Sequence, residues 1–381
     1  MNILGINGSI GNKEYIIVSL LTENFQMYMH QAGATLFIDG ELKGSLSEER
    51  LTGIKYDGKY PTNSIDALLA RNNLFSKDID IIAYASITSD VKRGELSELF
   101  KNAEILFIDH HLAHAAASFL TSGFEEANIF TFDGVGDLHT LPNDKIKTNN
   151  ANLYNGNFNE KEIRFVHQSY LDDYTFMFGY FYDMLSNYIY KQKIHGKSDQ
   201  EQLNTNTFGG DINACGKIMG LSAYGDHTRM NIPDSFRFEL NENGFPIILL
   251  TNKDMTSLGE VQCQPEDLAA WAQRQFEKYL LLFLGNIPKE IKKDKLCLGG
   301  GCALNILANS KIIENGIYED IHINTAPDDS GLNFGAAILV AYEKEKELIL
   351  PDNMGCIGLD YNDEDINETI VKFGIESANE I

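Results

Sequence analysis

The chain has 381 residues, 43% of them hydrophobic, and carries 31 lysines and arginines against 55 aspartates and glutamates, a net charge of −24. At about 100–200 residues per domain, this is room for two or three domains or one two-lobed domain, with core enough to fold without a metal or disulfide. The charge excludes a general nucleic-acid binder, which needs a basic surface to displace counterions, and argues against docking on anionic membranes; a local basic groove is still allowed.

Asn2–Ile6 is a short apolar run and reads as a buried strand. Residues 8–29 fit no element of the pattern that follows and read as an insertion. Ala34–Ser47 alternates around the turn dipeptide Asp39-Gly40, which predicts a hairpin. Pro61–Leu74 has helical apolar spacing behind a cap at Thr62 or Asn63. Ile79–Ala85 is a strand, Ser97–Asn102 ends a helix, Glu104–Asp109 is a strand, and a helix runs from about His111 to Thr121.

The pattern then restarts. Asn128–Phe132 is a strand, and Ala151–Gln168 reads as a hairpin around Asn155-Gly156. Asp173–Tyr190 and Pro265–Phe283 are helical stretches. The strand Lys295–Leu298 runs into Gly299-Gly300-Gly301 and a helix; Ile321–Asn324 is a strand and Ser330–Lys346 a helix. Strand, hairpin, helix, strand, helix thus occurs twice, with a join near residue 125. That predicts two similar α/β lobes around a cleft: residues 1–125 with the insertion, and residues 126–350. Lys191–Gly216 reads as a polar loop. The acidic tail 351–381 reads as a linker with one short helical pattern, Asp363–Phe373.

Five cysteines, an odd number without a CxxC pair, predict neither a disulfide framework nor a zinc ribbon and fit a reducing cytoplasm. The first residues lack a basic n-region and a long apolar h-region, so no signal peptide is expected. The longest apolar run, near Tyr279–Leu284, is far short of the ~20 residues of a membrane span.

Chemistry concentrates at strand ends. In Ile108-Asp-His-His-Leu-Ala-His114, His110 and His114 are four apart, so on a helix both imidazoles share a face and can ligate one metal. His111 points about 100° away. Asp133-Gly-Val-Gly-Asp137 follows the first strand of the second copy, where backbone N–H groups suit phosphate and aspartates suit a metal, although a DG pair is ordinarily just a turn. Leu298-Gly-Gly-Gly-Cys-Ala-Leu-Asn305 joins a strand to a helix N-terminus, a place for an anion or nucleotide. In Pro327-Asp-Asp-Ser-Gly331, Asp329 or Ser330 is either a helix cap or a ligand. Lys217–Gly225 reads as a packed apolar–glycine turn. Carboxylates with two helical histidines suit Fe(II), Mn(II) or Zn(II), a choice spacing does not make. A metal beside a glycine-rich anion site points to phosphate chemistry.

Taken together, SEERLTGIKYDGKYPTNSI, DHHLAHAAASF, DGVGD, GKIMGLSAYG, GGGCALNILAN and PDDSGLNFGAA resemble the O-carbamoyltransferases of nodulation-factor and antibiotic biosynthesis, in that family's order and over residues 30 to about 340. The resemblance implies the duplicated actin/sugar-kinase-like (ASKHA) α/β fold, shared with enzymes that install threonylcarbamoyl on tRNA. It implies transfer of carbamoyl from carbamoyladenylate to a hydroxyl, with release of AMP. By motif, His110, His114, Asp133 and Asp329 would hold a divalent metal, usually iron. Gly300, Gly301 and Asn305, with Lys217 and Gly220, would line the adenylate site for ATP, AMP or carbamoyladenylate. His30 and Lys55 would flank the carbamoyl group, Lys55 stabilising charge and His30 polarising the carbamoyl or taking the hydroxyl proton.

That family ordinarily continues beyond this chain's end with a YrdC-like domain that makes carbamoyladenylate; from Gly358 the tail resembles only its entry. The expected partners are therefore a YrdC-like subunit acting in trans and a small hydroxylated acceptor. The acidic charge ranks tRNA threonylcarbamoyl transfer, or carbamoylation of a hydroxymethylated DNA base, below small acceptors. A non-catalytic nucleotide-binding subunit and a sugar-kinase-type phosphotransferase are the other readings. Oligomeric state is left open, a homodimer among the options.

Overall fold

The computed structural model describes residues 1–9, 15–20, 23–28, 30–85, 93–134, 136–140, 146–170, 178–190, 207–208, 213–230, 236–241, 244–250 and 263–374. The first sheet is built from β1 (Asn2–Asn7), β4 (Gly33–Ile38), β5 (Glu41–Ser47), β6 (Ile81–Ala85) and β7 (Glu104–Ile108), in the order β5-β4-β1-β6-β7. β5, β4 and β1 run antiparallel to their neighbours, and β6 and β7 continue parallel to β1. Asp39 and Gly40 both have positive φ, 49° and 82°, the mirror-image turn that suits strand twist.

The second sheet repeats this plan strand for strand. It is built from β8 (Glu126–Phe132), β10 (Ile146–Asn157), β11 (Glu162–Tyr170), β15 (Lys295–Gly299) and β16 (Asp320–Ile323), in the order β11-β10-β8-β15-β16. Its first three strands are antiparallel and its last two parallel to β8. Two sheets of identical order and sense are the duplicated actin/sugar-kinase-like fold expected above.

The smaller strands lie off these sheets. β2 (Tyr15–Leu20) and β3 (Glu23–Tyr28) form a hairpin from the insertion, extended by β12 (Thr207–Phe208). β9 (Leu138–Thr140) pairs with β10, and β13 (Phe236–Leu240) with β14 (Pro246–Leu250).

The helices make three layers, one outside each sheet and one between the two. α1 (Glu48–Thr52), α2 (Thr62–Arg71) and α3 (Arg93–Leu99) belong to the first half, with α2 and α3 closing the outer apolar cluster of the first sheet. α4 (His110–Phe119) follows the first sheet, yet it packs on β8, β10 and β15 of the second. α5 (Phe178–Tyr188), α6 (Asn213–Leu221), α7 (Pro265–Gly285) and α8 (Ile306–Glu314) build around the second sheet's outer face, where Phe130, Phe132, Phe178, Phe276 and Phe283 stack. α9 (Leu332–Lys344) follows the second sheet but packs on β1, β4 and β6 of the first. α4 and α9 also pack on each other, so the middle layer is a crossed helix pair with an alanine-rich core. The crossing is close because both helices present small residues: a Cβ on Gly335 would lie 2.0 Å from the Ala113 carbonyl oxygen. α10 (Asp363–Phe373) is capped by Asn362 and buries none of its residues.

Several sequence expectations shift. The Asn155-Gly156 turn is not a turn: both residues lie within β10, and the hairpin closes at 158–161. Gly156 is needed for another reason, since its Cβ would meet the Phe119 ring at 2.7 Å, and the Asn155 side chain accepts from Asn128 Nδ2 at 2.6 Å. The segment read as a packed turn from Lys217 is the second half of α6 and a 3-10 turn. α2 takes no cap from Thr62 or Asn63; the buried Glu48 carboxylate instead accepts from the N–H groups of Asn63 and Ser64 at 3.1 and 2.8 Å. The tail is not a free linker over its first part: Ser45 N–H donates to Ile357 at 2.7 Å, and just before the tail Leu42 N–H donates to Ile349 at 3.0 Å, so the chain covers the edge of β5. Residues 173–177 and most of 191–216 lie outside the described residues.

Candidate metal centre

Asp109, at the end of β7, accepts from Leu112 N–H at 2.9 Å and caps α4, so the helix begins with His110. One turn later His114 returns to the same face, and the two Nε2 atoms are 3.2 Å apart. Asp133 directly follows β8. Its Oδ2 lies 3.3 Å from His114 Nε2 and 3.9 Å from His110 Nε2. Asp329 opens the turn between β16 and α9. Its Oδ1 lies 3.5 Å from His114 Nε2 and 3.7 Å from His110 Nε2. One ligand atom from each of the four lies within 4.8 Å of all the others. His110 and His114 follow β7 of the first sheet, and Asp133 and Asp329 follow β8 and β16 of the second.

The donor set fits a divalent cation. Bonds of about 2.0–2.2 Å at tetrahedral or octahedral angles place adjacent ligands about 3.0–3.6 Å apart, near the separations seen here. Neutral histidines with two carboxylates carry two negative charges, which a divalent cation balances. The glycine-rich turn holds one ligand in place: Gly301 N–H donates to Asp133 Oδ2 at 2.8 Å, and Gly134 N–H to Oδ1 at 2.6 Å. Gly300 adopts φ 87° with no room for a side chain, its Cβ falling 2.4 Å from the Phe132 carbonyl oxygen.

Without metal, protons take the cation's place. Burial pulls the His114 pKa down, but hydrogen bonds with Asp133 and Asp329 outweigh it and raise the value to about 9. His110 is raised as well: burial again lowers it, and Asp329 and Asp133 more than compensate. Asp133 is held well below the usual carboxylate range, burial notwithstanding, by its bonds to His110 and His114. Since the folded His114 value lies above the ordinary 6.5, its pairing stabilises the metal-free protein fully below about pH 6.5 and is lost as pH rises through about 9. Metal must expel that proton. Zn(II) affinity, followed by calorimetric titration, should therefore climb about tenfold per pH unit for each proton expelled and level off above about pH 9. A flat profile would remove His114 from the ligand set.

His111 belongs to a different environment. Its Nδ1 lies 3.0 Å from Thr131 Oγ1, and burial followed by its two histidine neighbours keeps its pKa well below 6.5. A Cβ on Gly136 would lie 2.7 Å from its Nε2, so it packs against that turn as a neutral ring.

Other predicted residues fall into two groups. His30 is at the site: its Nε2 is 3.8 Å from Asp329 Oδ2 and its Nδ1 is 3.0 Å from Gln31 Oε1. Lys55 is exposed on an adjoining loop, its ammonium 4.8 Å from the Tyr56 ring centroid. That loop is pinned beside His30 by Ala32 N–H to the Asp57 carbonyl (2.7 Å) and Ser9 N–H to the Gly58 carbonyl (2.8 Å). Lys217 is exposed on α6 with its ammonium 2.8 Å from the Tyr190 hydroxyl, and Gly220 has open space around it. Asn305 caps α8 through Ala308 N–H at 3.1 Å and exchanges two hydrogen bonds with Gln273, both at 3.0 Å. Its amide is thus turned toward α7.

Three further residues stand at the site: Asp137, the last residue of the DGVGD motif, and Asn7 and Asn333, which carry no signal in the sequence. Asp137 Oδ2 accepts from His110 N–H at 2.7 Å, adding to the cap of α4. Asn7 donates from one Nδ2 to the carbonyls of Gln31 and Asp329, each at 2.9 Å, and Asn333 Nδ2 donates to Asn7 Oδ1 at 3.0 Å.

A family model described as "Carbamoyltransferase N-terminus" matches residues 88–338. The chain belongs to the carbamoyltransferase N-terminal family. The match takes in all four residues of the candidate metal set, whereas His30 and Lys55 precede it. Among relatives of this carbamoyltransferase-family chain, the nodulation protein NolNO of Sinorhizobium fredii is 28% identical over 83% of this chain and 47% of its own length. The nodulation protein NolO of Bradyrhizobium diazoefficiens is 26% identical over 62% of this chain and 38% of its own. The carbamoyltransferase-family chain thus spans about half the length, or less, of these relatives. Among solved structures, HypF from T. kodakarensis superposes with a TM-score of 0.52 at 14% identity, over 90% of this chain and 47% of that one. Full-length HypF in its phosphate- and nucleotide-bound form gives 0.50 at 13% identity, over 84% and 46%. These likenesses are likenesses of fold. Among the described residues no helix is long and apolar enough to cross a membrane.

Proposed function

We propose that this carbamoyltransferase-family chain transfers a carbamoyl group from carbamoyladenylate to a hydroxyl of a small acceptor and releases AMP. The observation that carries the reading is the convergence of His110, His114, Asp133 and Asp329 into one cluster of ligand atoms, with His30 beside Asp329. A divalent cation bound there, Fe(II) first and Mn(II) or Zn(II) after it, would supply positive charge beside the carbamoyl and phosphoryl oxygens.

The chain's own residues divide the remaining work. The N–H of Gly301 and the tight Gly300 turn hold Asp133 in place and keep backbone close to the donor. Gly300, Gly301 and Asn305, with Lys217 and Gly220 farther along the wall, would line the adenylate. Lys55, on the loop pinned beside His30, would reach in to offset charge that develops on the carbamoyl oxygen. His30 takes the hydroxyl proton as the acceptor oxygen bonds to the carbamoyl carbon and the bond to the phosphate oxygen breaks. Carbamoyladenylate would come from a YrdC-like adenylate-forming activity. A net charge of −24 supports a small acceptor over a polynucleotide.

The test is a coupled assay. Chain loaded separately with each of the three metals is mixed with carbamoyl phosphate, ATP, a YrdC-like enzyme and a panel of hydroxylated acceptors. The expected product is an acceptor heavier by one carbamoyl group, with one AMP released per transfer. Binding of metal and nucleotide with neither product nor AMP for any acceptor would leave a non-catalytic subunit as the better reading.

A further inference from the structure

We propose that Gln31 is a positioning residue that fixes the tautomer of His30, keeping the proton on Nδ1 and leaving the Nε2 lone pair turned toward the metal-ligand cluster. The first observation is backbone strain. Gln31 has φ 58°, a conformation that costs a non-glycine residue of order 1 kcal/mol, and it is neither glycine nor asparagine. A strained glutamine persists where its side chain is used.

The side chain is used on both ends. Gln31 Nε2 donates to Asp328 Oδ2 at 2.5 Å. A carboxylate accepts only, so the amide's NH2 end must face Asp328 and its oxygen must face His30. That oxygen is 3.0 Å from His30 Nδ1, and two acceptors at this distance would repel; Nδ1 therefore carries the hydrogen. Asp328 is itself fixed, its other oxygen accepting from the Ser330 hydroxyl at 2.5 Å. Direction thus passes from an anion through an amide to an imidazole.

The backbone around Gln31 is equally determined. Its carbonyl accepts from Asn7 Nδ2, which also holds the carbonyl of Asp329. Asn7 is anchored in turn by Asn333, and a Cβ on Gly33 would lie 2.2 Å from Asn333 Nδ2. These contacts compensate a φ that the chain would otherwise relax.

An opposing pull makes the device necessary. His30 Nε2 is 3.8 Å from Asp329 Oδ2, too long for a hydrogen bond but close enough for the carboxylate to favour a hydrogen on Nε2. With the hydrogen there, His30 has no lone pair on that side. Gln31 tips the balance the other way. On the function proposed above, on which the consequence for catalysis rests, the acceptor oxygen bonds to the carbamoyl carbon. The carbon–oxygen bond to phosphate breaks with its electron pair leaving on AMP, and the hydroxyl proton passes to His30 Nε2.

The tautomer is readable without donor or acceptor. Protein labelled with 15N-histidine and loaded with Zn(II) is recorded by two-bond 1H–15N correlation, with His30 assigned by its loss in His30→Asn. Wild type should show Nδ1 protonated and Nε2 unprotonated. Gln31→Gly, which the φ of 58° suits, should fold with an unchanged or higher Tm and show the hydrogen moved to Nε2. Asp328→Ala, which frees the amide to rotate, should give a mixture. In the coupled assay Gln31→Gly should lose about tenfold in kcat with acceptor KM and zinc content unchanged. Protonated Nε2 in wild type, or an unaltered Nδ1–H form in Gln31→Gly, overturns the proposal. Absence of carbamoyl transfer with the expected spectra would instead count against the function and leave the tautomer assignment standing.

Discussion

His114→Ala should lower metal content from one ion per chain to near zero and abolish carbamoyl transfer. Of the two histidines, His114 stands nearer both carboxylates, at 3.3 and 3.5 Å, so its loss opens the set at its centre. Mutating outer partners of metal ligands costs about 10–100-fold in affinity, and a direct ligand should exceed the upper end of that range. Elemental analysis after dialysis measures content, and calorimetric titration with Zn(II) measures affinity. The metal-free variant should also be less stable than the metal-free wild type, because Asp133 and Asp329 then lose the imidazolium between them. Full metal occupancy in His114→Ala would mean that the ion binds elsewhere.

Gly335→Ala should cost about 3 kcal/mol of stability, the upper end of what overpacking a core usually costs. The added methyl would fall 2.0 Å from the Ala113 carbonyl oxygen and 2.6 Å from its carbon. These are backbone atoms, so no rotamer change relieves the clash; α4 and α9 must separate. His110 and His114 ride on α4, and Asp329 lies just before α9, so Zn(II) affinity should fall with stability. Gly220→Ala is the control. It lies within α6 with nothing within 4 Å of the added carbon. There alanine should be neutral or stabilising by about 0.5–1 kcal/mol. If Gly220 lines the adenylate site, this variant should weaken nucleotide binding while its melting temperature holds. A Gly335→Ala protein that melts with wild type would contradict the crossing described.

Much of the fold was legible because it repeats. Each half offers a strand, an alternating pair around a turn, and two strands preceding helices. The duplication needed only that the period be noticed at Asn2–Ile6 and again at Asn128–Phe132. Asn155-Gly156 misled for a physical reason: the dipeptide that favours a turn also removes the side chain that would strike Phe119, and sequence does not separate the two uses. At the candidate site, His110 and His114 carry a helical spacing, and Asp133 stands at a strand end. Asp329 was ambiguous with a cap, and the structure resolves it: Asp328 caps the turn, accepting from Ser330 N–H at 3.3 Å, while Asp329 faces the histidines. His30 and Lys55 came from resemblance alone. Asn7, Gln31 and Asn333 had no signal at all. They are uncharged amides without spacing, and Asn7 and Asn333 meet across 326 positions of chain. Only tertiary structure pairs them.

The exchange of α4 and α9 between the sheets has a consequence for what a half of this molecule is. Each sheet's inner face is covered by a helix whose covalent neighbour is the other sheet. A chain cut near residue 123 would yield two pieces, each with an exposed apolar sheet and an orphaned helix, able to fold only by embracing the other. The lobes are therefore interlocked like clasped hands, and the molecule should melt in one step even though its plan is written twice.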